Sequence, residues 1–313
     1  MTRVGFLFDE VFLAHDTGGH PENPERLRYL LRHLEENNWF ERLVKLKPEP
    51  TTFSRLSSVH DPSYIRFVEE ASARGDKLLN AGDTVVSSGS YQAALTAAGA
   101  GITASSLIIE GKIDAAFCAV RPPGHHAERD KAMGFCLFNN IAVTASFLKT
   151  ERGIPRILII DFDVHHGNGT QNAFYDDPDI LYISLHQYPH YPGTGRESER
   201  GEGKGLGFTL NIPLPAGSND IDYITAFQEK AIPAAESFSP QFVLISAGFD
   251  PHRDDPLSAM RLTEDGFYQL TKMIKEIAER WAKGSMVSIL EGGYHLNALA
   301  RSVERHLEAL IEE

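Results

Sequence analysis

Arg156-Ile-Leu-Ile-Ile-Asp161-Phe-Asp163-Val-His165-His-Gly167 is the stretch on which the reading of this chain turns. Four consecutive large aliphatic residues describe a strand covered on both faces, because a half-exposed strand alternates apolar and polar positions. Acids and histidines follow at once. In an extended segment, side chains two apart point to the same side. Asp163 and His165 therefore share one space, and Asp161 joins them if the strand stays regular. Open parallel sheets place their ligand sites beyond the carboxyl ends of the strands, so this layout predicts a parallel α/β fold with chemistry at its strand ends.

Working outward, similar apolar runs occur at 4–8, 115–120, 180–185, 242–246 and 286–290, besides 156–160. Amphipathic stretches at about 25–37, 62–73, 89–110, 137–151, 221–237, 264–282 and 297–311 alternate with them. In 264–282, Phe267, Leu270, Ile274, Ile277 and Trp281 recur at helical spacing and form one apolar face. No low-complexity linker or repeat interrupts the pattern. The expected architecture is a single three-layer α/β domain over 1–313, with a mostly parallel sheet and helices on both faces. Polar motifs follow the other predicted strands too: Arg121-Pro-Pro-Gly-His-His126, Ser184-Leu-His186, Ala247-Gly-Phe-Asp250 and Glu291-Gly-Gly-Tyr294.

Composition narrows the function. With 313 residues, 42% hydrophobic and 23% charged, the chain can bury a large core, which excludes a mostly disordered or collagen-like protein. Asp plus Glu number 43 against 30 Lys plus Arg, a net charge of −13. That charge repels a phosphate backbone and argues against direct nucleic-acid binding. It attracts cationic substrates weakly at physiological salt. Two cysteines, Cys118 and Cys136, suit a reducing, cytoplasmic setting. The run at 4–8 ends at Asp9-Glu10, too short for a signal peptide, and no uninterrupted apolar stretch suggests a membrane span.

Asp163, His165 and Asp250 offer two carboxylates and one imidazole, a three-ligand set that leaves room for water, as in catalytic zinc sites. Fe²⁺ or Mn²⁺ suits the same oxygen-rich donors. An Asp-x-His pair alone marks a solvated strand end about as often as a ligand pair. Here it is joined by a Phe-Asp and a His-His after other strands. A lone His-His pair is more often a surface turn. Beside a metal, His125 and His126 supply the base and acid that hydrolysis needs. Asp161 and Asn168 are available to fix their tautomers.

Arg121-Pro-Pro-Gly-His-His-Ala-Glu128, Gly134-Phe-Cys136, Asp161-Phe-Asp-Val-His-His-Gly-Asn-Gly-Thr-Gln171 and Glu291-Gly-Gly-Tyr294 together resemble the zinc-dependent histone deacetylase family. The likeness is to class II-like histone deacetylases and bacterial acetylpolyamine amidohydrolases. It begins at His20-Pro-Glu-Asn-Pro-Glu-Arg26 and runs almost to the C-terminus. It implies an arginase-like sheet of about eight strands and a zinc amidohydrolase. Such an enzyme removes acetyl or other acyl groups from acetyl-lysine, acetylated polyamines or small acylamides by attack of metal-activated water. By that likeness, Asp163, His165 and Asp250 hold the zinc. His126 is the main base and later the acid, with Asn168 as its partner. His125, backed by Asp161, steadies the attacking water, and Tyr294 donates to the carbonyl oxygen. Gly134, Phe135 and Tyr191 line a narrow channel with Leu257 at its rim, and Arg26 lines an inner channel for acetate.

The resemblance also implies two K⁺ sites. Asp161, Asp163, His165, Ser184 and Leu185 match the inner one; Phe174, Asp177, Ile180 and Phe208 match the outer. Two positions depart from the commoner pattern. Asn168 stands where class I members carry Asp, which predicts a neutral His126 at pH 7. Tyr191 stands where many relatives carry Phe. Polyamine-specific relatives often carry a long insertion, for which 313 residues leave little room, so the reading leans to a broader deacetylase. An arginase-type ureohydrolase needs a second Asp two residues after His165, where this chain has Gly167. A non-catalytic binder of acetylated amines fits poorly with retention of both histidines and Tyr294. Among weaker signals, Gly201–Gly207 lacks the Ser or Thr of a nucleotide loop, and Cys136 reads as a small buried hydrophobe. Asp83 reads as a loop acid near substrate or solvent, and 301–313 as a packing helix.

Overall fold

A computed structural model describes residues 2–79 and 82–312. Its strands are β1 (Val4–Leu7), β2 (Val44–Leu46), β3 (Ala115–Cys118), β4 (Ile157–Asp161), β5 (Ile180–Gln187), β6 (Thr209–Leu214), β7 (Phe242–Ala247) and β8 (Met286–Leu290). They form one sheet in the order β2-β1-β3-β8-β7-β4-β5-β6, with every neighbouring pair parallel. Ile157, Leu158, Ile159 and Ile160 are fully buried. Each such side chain contributes about 1.5–3 kcal/mol by leaving water. Helices supply the crossovers that parallel pairing requires.

The six strands expected from apolar runs are present with ends shifted by up to two residues. β2 and β6 carry no continuous apolar run. Both are sheet edges: Val44 and Lys45 are exposed, and β6 accommodates Pro213, which a central strand would not. The expected helices are present with one interruption, while the short helices Phe53–Leu56 and Asn168–Ala173 were not expected from the sequence. The expected 221–237 helix is Asp220–Ala226, a wider π turn at Phe227–Ala231, then Ile232–Phe238. The widening precedes Pro233, which has no amide hydrogen for the carbonyl four residues back.

The helix Ser90–Ile109 is long and apolar enough to cross a membrane, with a mean hydropathy of 1.4, but 67% of that stretch is buried. It packs on Asn140–Thr150, β3 and β8 as a core helix. The C-terminal helix spans Leu296–Ile311 against Glu264–Trp281. Glu313, which the sequence reading included in it, and Met1 lie outside the described residues.

The strand order positions the site. β3, β8, β7 and β4 are neighbours in that order at the middle of the sheet. Their carboxyl ends deliver, in turn, the His125–His126 turn, Tyr294, Asp250 and the Asp163–His165 segment. Residues up to 169 apart in sequence thus meet at one place.

Candidate active site

Asp163, His165 and Asp250 are all buried, and each offers a ligand atom within 4.8 Å of the other two. His165 turns Nδ1 to both acids, 3.0 Å from Asp163 Oδ1 and 3.3 Å from Asp250 Oδ2. The backbone holds the acids still. Asp163 accepts from the His165 amide at 2.9 Å and the Gly292 amide at 2.9 Å, and Asp250 Oδ1 accepts from the Val164 amide at 2.9 Å. Asp250 Oδ2 is buried and has no well-aligned hydrogen-bond donor, His165 Nδ1 being its close polar neighbour. Gly292 keeps the hollow open, since a Cβ there would lie 2.6 Å from Asp163 Oδ2 and closer still to Asp250 Oδ2. A buried carboxylate oxygen without an aligned donor, a hollow that a methyl group would fill and an O,O,N donor set together fit a divalent cation.

The charges agree with that fit. Burial and the nearby Asp163 push the Asp250 carboxyl up to about 7. Although burial opposes charge on His165, the hydrogen bond to Asp163 and the ion pair with Asp250 hold it up at about 10. Positive charge is therefore favoured where these three side chains meet.

The histidine pair adjoins this cradle, with ring centroids 4.1 Å apart. His125 Nδ1 lies 2.9 Å from Asp161 Oδ2, which also accepts from the Tyr182 hydroxyl at 3.1 Å. His126 Nδ1 lies 2.7 Å from Asn168 Oδ1. Burial works against charge on His125, but Asp161, Asp163 and Glu291 raise it to about 10. Burial and the two neighbouring histidines push His126 well below the ordinary value, and the hydrogen bond to neutral Asn168 only partly opposes them.

A channel of about 230 Å³ leads down to these groups. That is smaller than the pockets of drug-sized ligands and suits a slim chain. Its walls include Pro123, Gly134, Phe135, Tyr191 and Leu257, as the sequence reading placed the last four. Phe135 sits at φ +69°, rare for an aromatic residue, and follows Gly134 at φ +54°. A Cβ on Gly134 would press on the His126 ring. This held turn sets the Phe135 ring edge-on to Tyr294, at 5.9 Å between centroids. Burial raises the Tyr294 phenol well above its usual range, so it is a hydrogen-bond donor at neutral pH. Asp83 also borders the channel, its Oδ1 accepting from the Gly134 amide at 3.1 Å.

A family model described as a histone deacetylase domain matches residues 20–310. The chain belongs to the histone deacetylase family. A probable deacetylase of Archaeoglobus fulgidus is 41% identical over 294 residues, covering 93% of this chain and 81% of its own. Polyamine deacetylase HDAC10 of Homo sapiens is 39% identical over 323 residues, covering 99% of this chain and 47% of its own. The crystal structure of the HDA15 HD domain aligns with a TM-score of 0.94 and 38% identity, over 99% of this chain and 88% of that one. The deacetylase is thus a hydrolase on an arginase/deacetylase fold.

The deacetylase's expected K⁺ residues are placed as follows. Ser184 on β5 pairs in register with Asp161 on β4, and Leu185 follows it. Phe174 accepts from the Asp177 amide at 3.1 Å, and Phe208 from the Tyr182 amide at 2.9 Å. The Asp177 carboxylate is held by Lys149 at 2.6 and 2.7 Å, which leaves main-chain carbonyls as the remaining donors of the outer group. Arg26 is fully buried. It donates to the carbonyls of Gly293 at 2.7 Å and Glu291 at 2.6 Å, and lies 5.0 Å over the Tyr294 ring. Cys136 is buried, as read.

Three residues beneath the deacetylase's site were given no role from the sequence. Glu291 accepts from the amides of Gly124 at 2.6 Å and His125 at 3.2 Å, pinning the histidine turn. Asp255 accepts from the Tyr294 amide at 2.6 Å and the Leu257 amide through its other oxygen at 3.0 Å. His190 stacks on His165 at 5.1 Å and lines the channel. Glu291 was legible as part of its motif, since a charged residue that ends a buried strand needs a partner. Asp255 and His190 gave no such signal.

Proposed function

We propose that this chain is a zinc-dependent deacetylase that hydrolyses N-acetylated amines such as acetyl-lysine, releasing acetate and a free amine. The observation that carries the reading is the convergence of Asp163, His165 and Asp250 at the foot of a narrow channel, beside His125 and His126 and opposite Tyr294. Zinc is the expected ion, with Fe²⁺ suited to the same donors. A bound divalent cation polarises a carbonyl and makes water a nucleophile near neutral pH.

The chain's own groups do the rest. Phe135 and Tyr191 flank the aliphatic part of the substrate and exclude water from it. Tyr294 donates its hydroxyl to the amide oxygen and stabilises the oxyanion that develops there, usually the largest contribution to such catalysis. His126, neutral and with Nδ1 turned to Asn168, takes a proton at Nε2 from the attacking water. It then returns that proton to the leaving amine. His125, kept charged by Asp161, adds a positive field beside the reacting centre.

At the rim, apolar Leu257 and Phe135 stand beside the single carboxylate of Asp83. A polyamine would bring several ammonium groups to one acid, which favours an acetyl-lysine side chain. Turnover of a fluorogenic acetyl-lysine peptide, abolished by a chelator and restored by zinc, tests the reaction. Parallel assays on acetylated polyamines test the substrate, and faster turnover of those would overturn the lysine preference.

A further inference from the structure

Asn168 raises a question that His126 depends on. Its side-chain amide has nearly the same shape in two orientations, one presenting oxygen and the other nitrogen to the histidine. Only the first makes His126 a base toward the reacting centre. Oxygen facing Nδ1 puts the proton on Nδ1 and leaves Nε2 free. Nitrogen facing Nδ1 does the reverse. His125 has no such ambiguity, because the Asp161 carboxylate only accepts.

Glu128 resolves it. Its carboxylate accepts a short hydrogen bond from Asn168 Nδ2 through Oε1. Both of its oxygens also accept from Asn172 Nδ2, at 3.0 Å each. Asn168 and Asn172 lie one turn apart on the helix Asn168–Ala173, so one carboxylate bridges them. The main chain of Glu128 is anchored in turn. His60 Nε2 accepts from the Asn139 amide at 2.8 Å, so His60 Nδ1 is the protonated nitrogen, and it donates to the Glu128 carbonyl at 2.8 Å. The other neighbours of Asn168 Nδ2 are the His126 carbonyl at 3.4 Å, which is long, and Met133 Sδ at 3.5 Å, a weak acceptor, so neither dictates the orientation.

We propose that Glu128 is a positioning residue that sets the tautomer of His126 by locking the Asn168 amide with its oxygen toward Nδ1. The inference rests on the reading of His126 as the base, and it deepens that reading. The carboxylate that other patterns place directly on this histidine here lies one hydrogen bond further out. Glu128 touches neither substrate nor reacting atoms and acts only through Asn168.

The test uses the zinc-loaded chain with ¹⁵N-labelled histidine and two substitutions. In the unsubstituted protein, His126 shows a pyrrole-type Nδ1 and a pyridine-type Nε2. Glu128→Gln replaces an acceptor-only group with an amide that can present either oxygen or nitrogen, so the Asn168 amide is no longer fixed. The His126 signals then move toward the opposite tautomer, and kcat falls roughly tenfold with KM within about twofold, at the low end of losses seen for outer partners of site histidines. Asn168→Asp supplies a partner that only accepts, which removes the need for Glu128 and sets two carboxylates against each other. In that background Glu128→Gln raises kcat, so its effect changes sign. This second arm decides the matter if Glu128→Gln alone does not fold. An unchanged tautomer with full kcat in Glu128→Gln, or an equal loss in both backgrounds, would overturn the proposal. Normal turnover by His126→Ala would instead remove the base assignment and leave the tautomer result standing.

Discussion

Glu22 and Asp250 are both fully buried acids close to the same tyrosine loop, yet they are balanced in opposite ways. Glu22 receives Nε and Nη2 of Arg121 and Nη1 of Arg26 at 3.2 Å, with His15 at 3.6 Å. Burial alone would raise its carboxyl; Arg121 instead holds it at about 2. Asp250 has Asp163 beside it and one imidazole, His165, shared between the two acids, and burial with Asp163 still pushes it up to about 7. The first cluster carries its own countercharge and is complete as folded. The second is short of positive charge. A buried acid that the protein does not match either stays protonated or is matched by something the protein binds, and the second outcome separates a site from a structural acid cluster.

The sharpest way to break this contrast is to remove a ligand. Asp250→Asn is expected to lose zinc binding and measurable turnover. In the unsubstituted chain, zinc at about 100 times its Kd adds about 2.7 kcal/mol of stability that a chelator removes; the variant's melting temperature ignores both additions. Metal analysis after dialysis checks it, and stoichiometric zinc on the variant would erase the distinction between the clusters. Tyr294→Phe keeps the ion but lowers turnover by about 10²–10³, the usual loss for one oxyanion donor, measured as kcat with the zinc content unchanged.

The balanced cluster makes the complementary prediction. Glu22→Gln strands two buried guanidinium groups and costs about 3–5 kcal/mol in urea unfolding, while folded protein still takes up zinc. A loss under 1 kcal/mol would mean that the arginines do not need their acid. The smallest effect is on pH. Glu22 sits at about 2 in the folded chain against 4.5 ordinarily, so the unfolded chain binds more protons between those values. Its contribution is complete above about 4.5 and is lost as pH falls toward 2. The stability difference between the unsubstituted chain and Glu22→Gln should therefore shrink across that window, as read from urea midpoints at each pH.

Central strands and strand-end motifs were legible in the sequence because each is a local signal. Ile157–Asp161 announces itself by four aliphatic residues, and Asp163 and His165 by a spacing of two. β2 and β6 were not legible, because an edge strand is stabilised by one neighbour and needs no apolar run. The Asp163, His165 and Asp250 triad could be assembled because its members follow the ends of two buried strands. The bracing groups could not. Glu22 meets Arg121 across 99 positions, and Asp255 meets Tyr294 across 39. Neither pair has periodicity or spacing to betray it. The same holds for Glu128, which the motif contains but whose partnership with Asn168 only the fold brings about.

β8 is the last strand among the described residues, and it lies between β3 and β7 at the centre of the sheet. During synthesis from the N-terminus, β1 to β3 and β4 to β7 can each gather into a half, but neither half can be joined until residues 286–290 have left the ribosome. Until then β3 and β7 each keep a bare row of hydrogen-bonding groups, the kind of edge that invites pairing with another chain. The strand that closes the sheet also carries Glu291 and Tyr294 into place. A product that stops short of β8 therefore has an incomplete catalytic apparatus and two adhesive edges.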